Sequence, residues 1–130
     1  MPYKILVADD DLDNRTIAQV ALERAGYDVI IATDGDEALG RIIAEKPDVV
    51  LLDLSMPRLD GWEVAGRVRA DKTVAHIPII AFTAHGLAGD ELKAKAAGCD
   101  DYVSKPCPPK IMVERITYWA GRARLPSEAA

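Results

Sequence analysis

The sequence is short of cysteine, of basic charge and of long apolar stretches, and each shortage removes a class of protein. Two cysteines, Cys99 and Cys107, are too few for a disulfide framework and match no zinc spacing. Lys plus Arg number 16 against 21 Asp plus Glu, giving a net charge of −5 and a pI near 5.0. With no basic run, the chain has no electrostatic footprint for nucleic acid. The apolar stretches, such as Val49–Leu52 and 77–82, are far too short to span a bilayer. Met1-Pro2-Tyr3-Lys4 leads directly into an apolar segment, with no small-residue cleavage site of the secretory kind. The expected location is therefore cytoplasmic. There is no linker, low-complexity tract or internal repeat, and residues 122–130 read as a short C-terminal tail.

What is present is the balance of one globular domain. The 130 residues are 49% apolar and 28% charged. A chain of this length buries roughly 65–70% of its unfolded surface and needs no staples. If one domain fills it, no second domain is left to act as an output module.

Apolar runs rich in β-branched residues recur along the chain: Ile5-Leu6-Val7-Ala8, Val29-Ile30-Ile31-Ala32, Val49-Val50-Leu51-Leu52, 77–82 and Tyr102-Val103. Several are apolar at every position rather than alternating, which marks strands covered on both faces. Segments of helical period lie between them, over 13–25, 34–45, 61–70, 88–97 and 108–121. Gly26 and Gly98 suit helix ends, and Pro108-Pro109 suits a first helical turn. Asp11 and Asp13 read as a cap and a first-turn acid. Five βα units in succession imply an α/β sandwich with right-handed crossovers.

In an open parallel sheet, ligand chemistry collects at the carboxyl ends of the strands. Asp9-Asp10-Asp11 follows the first run, Asp53 the third, Thr83 the fourth and Lys105 the fifth. Clustered carboxylates repel one another unless a hard cation neutralises them, and Mg²⁺ suits oxygen donors. A carboxylate is also a nucleophile toward phosphorus, giving an acyl phosphate. A lysine then binds a phosphoryl oxygen as a point charge, and a hydroxyl donates to another. Each residue alone has a plain structural reading as a turn, cap or surface group. Their co-occurrence at successive strand ends favours the chemical one.

These stretches resemble the receiver domains of two-component response regulators. The matching segments are 5–11, 48–57, Leu59-Asp60-Gly61, 78–84 and 98–106, so the resemblance covers about residues 3–121. It implies a doubly wound (βα)5 flavodoxin-like sandwich with a parallel sheet of order 2-1-3-4-5. The receiver would occupy 1–121 and the tail 122–130. It implies that Asp53 accepts a phosphoryl group from a sensor histidine kinase or a histidine phosphotransfer protein. Asp9, Asp10, Asp53 and the Ser55 carbonyl would hold Mg²⁺, with Mn²⁺ as a substitute. Lys105 would pair with a phosphoryl oxygen. Thr83 and Tyr102 would couple the event to the surface of the fourth helix, fifth strand and fifth helix.

On that surface, Leu92, Ile111 and Tyr118 form a candidate apolar partner face, for a downstream protein or a phosphorylation-dependent homodimer. Asn14 and Ile17 are the expected contacts for the phosphodonor. Ser55 and His85 are expected beside the phosphoryl group, setting its lifetime. Cys99 and Cys107 read as packing residues, and Trp62 is expected against the sheet. The resemblance makes the chain a signalling module, with its own phosphorylation and slow self-dephosphorylation, rather than a turnover enzyme.

Four alternatives lie close. A degenerate, non-phosphorylated receiver is disfavoured because none of the key positions is lost. An aspartyl-nucleophile phosphatase of the haloacid-dehalogenase type needs a second acid where Ser55 stands. A flavodoxin-like cofactor binder needs a glycine- or hydroxyl-rich phosphate loop where Asp9-Asp10-Asp11 stands. A receiver excised from a hybrid kinase or larger regulator would carry the same residues. Met1 and the short tail favour a free-standing regulator.

Overall fold

Strands that are apolar at every position need cover on both faces, and helices supply it. The computed structural model describes residues 3–54, 56, 58–83, 90–105 and 107–121, the side chains of 83, 90–92 and 94 excepted. The elements run β1 Lys4–Ala8, α1 Leu12–Arg24, β2 Asp28–Ala32, α2 Gly35–Glu45, β3 Val49–Leu52, α3 Gly61–Ala70, β4 Ile79–Thr83, α4 Asp90–Ala97, β5 Asp101–Ser104 and α5 Pro109–Ala120. The sheet has the order β2-β1-β3-β4-β5 and every pairing is parallel. The expected doubly wound architecture and strand order are those observed.

Side chains alternate along each strand, so each feeds two cores. Leu6, Ala8, Val50, Leu52, Ile79 and Ala81 pack with Ala38 and Ile42 of α2 and Val64, Ala65 and Val68 of α3. Ile5, Val7, Val49, Leu51, Ile80, Phe82 and Val103 pack with Ala18 and Leu22 of α1 and Met112, Ile116 and Ala120 of α5. Trp62 lies partly buried against the first core, and Cys99 is buried within it.

Helix starts follow a common device. The carboxylates of Asp11, Asp34 and Asp60 accept from backbone N–H groups in the first turns of α1, α2 and α3. Gly26 and Gly98 both take positive φ beyond helix ends. Most element ends shift by one or two residues from the sequence expectation, and the strands β4 and β5 show why. β4 begins at Ile79 rather than 77, because Ile77 N–H donates to Val74 O in a turn and Pro78 has no N–H for the ladder. β5 extends back to Asp101 and forward to Ser104, pairing in register with Ile80 to Thr83.

One buried ion pair fastens the far end of the sheet. Arg69 of α3 donates to Gly98 O, Ala75 O and Ile77 O at 2.8, 3.0 and 2.7 Å, and to Asp100 Oδ2 at 2.5 Å. Asp100 Oδ2 also accepts from Ile79 N–H at 2.9 Å. One guanidinium thus ties α3, the turn before β4 and the turn before β5 together.

Candidate functional site

β1 and β3 are neighbours with Ala8 opposite Leu52, so the residues that follow them leave the sheet side by side. Asp53 N–H donates to Ala8 O at 2.9 Å, holding the two strand ends together. Asp9 and Asp53 are both buried, and Asp10 beside them is exposed. One carboxylate oxygen from each of Asp9, Asp10 and Asp53 lies within 4.8 Å of the others. Hard oxygen donors at this spacing, one of them open to solvent, fit a divalent cation that keeps several waters, as Mg²⁺ does.

Lys105 reaches this cluster from the end of β5. Its ammonium donates to Asp9 Oδ2 at 2.7 Å and lies 3.4 Å from Asp53 Oδ2. The Lys105 side chain is only 14% exposed, so the charge is substantially withdrawn from water. Burial alone would lower its pKa, but the hydrogen bond it donates to Asp9 and the charges of Asp53 and Asp9 outweigh it and raise the pKa above the ordinary lysine value. Asp9 is fixed from two further directions. Its Oδ1 accepts from Asp11 N–H at 2.9 Å, and its carbonyl accepts from the Arg15 guanidinium at 2.9 Å.

Other residues singled out from sequence fall around this centre. Thr83 ends β4, opposite Ser104 in the register; its side chain lies outside the described residues, as do Ser55 and His85. Tyr102 of β5 pairs with Ala81 and packs, partly buried, against the α2–α3 core. Asn14 and Ile17 line a groove of about 300 Å³ together with Ala18, Phe82, Lys105, Cys107 and Met112. The expected docking residues of α1 and the site lysine therefore open onto one groove. Ile111 and Tyr118 of α5 are both exposed, at 40% and 50%. The Leu92 side chain lies outside the described residues, so the third member of that face has no described position.

Two neighbours of the site escaped the sequence reading. Arg15 was hidden because it binds a carbonyl, which any residue could provide. Phe82 looked like one more core position. Its ring centroid lies 5.1 Å from Lys105 Nζ. The available signal was that it is the chain's one phenylalanine and directly precedes Thr83.

Comparison with known proteins decides the family. The family model for the response regulator receiver domain matches residues 5–117. The chain belongs to the response regulator receiver family. Such domains are signalling domains with an acidic phosphorylation and Mg²⁺ pocket.

The chain is similar to the alkaline phosphatase synthesis transcriptional regulatory protein PhoP of Bacillus subtilis, at 43% identity over 116 residues, covering 89% of this chain and 48% of that protein. It is similar to the polar-differentiation response regulator DivK of Brucella anthropi, at 33% identity, covering 95% of this chain and all (100%) of that protein. Among solved structures it resembles the receiver domain of the sensor histidine kinase PA1611 of Pseudomonas aeruginosa, with a TM-score of 0.86, 31% identity, and 93% and 99% of the two chains covered. That structure holds a magnesium ion in its active-site cleft. The chain spans about half the length of the first curated relatives it matches. Among the described residues no helix is long and apolar enough to cross a membrane.

Proposed function

We propose that the chain is a phosphorylation-switched signalling module in which Asp53 is the phosphoacceptor. The observation that carries this reading is the Asp53 carboxylate, buried beside Asp9 and 3.4 Å from the Lys105 ammonium. Asp53 attacks the phosphorus of a phosphohistidine on a sensor kinase or phosphotransfer protein. The new O–P bond forms as the P–N bond breaks, and the imidazole leaves with the electron pair and takes up a proton. Lys105 is already positioned to bind an oxygen of the arriving group. Asp9, Asp10, Asp53 and the Ser55 carbonyl would hold Mg²⁺, with Mn²⁺ as a substitute, and the bound ion offsets the charge on the phosphoryl oxygens. The phosphodonor docks along the groove lined by Asn14 and Ile17, which leads to Lys105.

Output then follows from the same strands. Thr83 turns to the phosphoryl group and Tyr102 moves behind it, changing the α4–β5–α5 surface that carries Leu92, Ile111 and Tyr118. A downstream protein or a second copy reads that surface. Residues 1–121 form the receiver, with 122–130 as its tail. The module works in the cytoplasm, slowly removes its own phosphoryl group, and Ser55 and His85 set how slowly. Incubation with acetyl phosphate or phosphoramidate plus Mg²⁺ tests the reading. One phosphoryl group should add to the wild type and none to Asp53→Asn. No addition under any donor would overturn it.

A further inference from the structure

The Phe82 ring and Lys105 both line the α1 groove, and Lys105 belongs to the Asp9–Asp53–Lys105 cluster as well. Phe82 is 9% exposed, it belongs to the core beneath α1 and α5, and it lines the groove beside Asn14, Ile17 and Ala18. The Lys105 ammonium sits 5.1 Å from its centroid, inside the distance at which a cation is drawn to an aromatic face. The same ammonium meets Asp9 at 2.7 Å and Asp53 at 3.4 Å. A lysine head is a point charge on a flexible four-carbon stem, so it needs neighbours to define its place. The carboxylates define it only while they keep their charge and position. One of them, Asp53, is the group whose chemistry changes on phosphorylation. The ring carries no charge to lose, so its chemistry is untouched by the transfer.

We infer that Phe82 is a positioning residue for phosphoryl transfer: its ring face holds the Lys105 ammonium where it meets Asp53 and then the phosphoryl oxygen. An aliphatic residue of similar size would fill the core but offer no negative face. The kinetic part of this inference rests on the proposed function; the contact itself does not.

The test has two arms. In metal-free, unphosphorylated protein, the Lys105 ε-CH₂ protons should be shifted upfield by the ring current, their signal assigned by its loss in Lys105→Met. The shift should vanish in Phe82→Leu and persist in Phe82→Tyr. No upfield shift in the wild type would overturn the contact whether or not the protein accepts phosphate. In the second arm, position 82 carries phenylalanine with zero, one, two or three ring fluorines, which weaken the negative face with little change in size. Melting temperature should stay level, while the rate of phosphorylation by acetyl phosphate falls stepwise, by about 3- to 10-fold at three fluorines. A flat rate series with the ring-current shift intact would reduce Phe82 to packing and overturn the inference. A wild type that takes no phosphoryl group would instead overturn the proposed function and with it the kinetic role, leaving the first arm to decide the contact.

Discussion

The Lys105 ammonium donates to the Asp9 carboxylate at 2.7 Å across 96 positions of sequence. This bond closes the top of the sheet, joining the end of β5 to the end of β1 over β3 and β4. It also gives the site a resident cation. Any divalent ion that binds Asp9 and Asp53 must compete with that ammonium or share the carboxylates with it.

Replacing the lysine therefore has opposed effects. Lys105→Met leaves Asp9 and Asp53 buried without their shared cation, which should destabilise the fold by about 1–3 kcal/mol. Mg²⁺ should restore more stability to this variant than it adds to the wild type, because it takes over the lost charge. Phosphorylation should nevertheless slow by about 10-fold or more, since the ligand for a phosphoryl oxygen is gone. Thermal melts with and without Mg²⁺, beside acetyl phosphate kinetics, check all three outcomes.

The same bond predicts a pH signature at the alkaline end. The folded-state pKa of Lys105 is raised, so its contribution is fully present below the unfolded lysine value of about 10.4. It is lost as pH rises through the higher folded value. Wild-type stability should fall in that alkaline window by an amount that Lys105→Met does not show. Urea unfolding of both proteins at neutral and alkaline pH provides the comparison.

At the opposite end of β5, Asp101 gives the reverse sign. Burial would raise its pKa, but the Trp119 indole N–H at 2.9 Å, the Arg115 guanidinium at 2.8 Å and the Tyr102 N–H lower it. Its stabilisation is present above the unfolded value of about 3.9 and is lost as pH falls through the lower folded value. Arg115 is half exposed, so solvent screens the pair, and Asp101→Asn should cost only about 1 kcal/mol at neutral pH. That difference should disappear in acid, as followed by urea melts of both proteins.

Gly61 carries a steric prediction. A Cβ there would lie 2.5 Å from Asp53 O and 2.6 Å from Leu54 Cα, both backbone atoms that cannot step aside alone. Gly61→Ala should displace the segment that bears Asp53, lowering both stability and phosphoryl acceptance. In the same helix, a Cβ on Gly66 meets nothing within 4 Å, so Gly66→Ala should stabilise by about 0.5–1 kcal/mol. If the two alanine variants behave alike, the close approach at Gly61 is not what constrains the loop.

The two thiols should differ in reactivity. Burial pushes the Cys99 thiol up to about 12, whereas Cys107 is partly exposed and its pKa is raised as well. A neutral-pH alkylating agent should modify Cys107 first and reach Cys99 only when the chain opens. Peptide mapping after graded alkylation would expose any reversal of that order.

The clustering of charged side chains was legible where charge follows the end of a strand. Asp9, Asp53 and Lys105 each leave a strand end, and parallel pairing brings strand ends to one rim. The strands were legible because both faces are covered, which leaves β3 and β1 after Lys4 wholly apolar. The start of β5 was not, because Asp101 is a charge that enters the sheet only with Arg115 and Trp119 of α5 to receive it. The Arg69–Asp100 pair was hidden by 31 positions of separation. The Phe82–Lys105 contact was hidden because it depends on the reach of a lysine side chain from the end of the neighbouring strand, which no spacing records.

The proposed function requires that Asp53, and not one of the acids beside it, take the phosphoryl group. Reductive trapping with borohydride after brief phosphorylation converts an aspartyl phosphate to homoserine, and peptide sequencing by mass spectrometry then locates it. The expected result is conversion at Asp53 alone, dependent on Mg²⁺ and absent without a phosphodonor. Conversion at Asp9 or Asp10, or at no residue after treatment with a competent donor, would contradict the assignment.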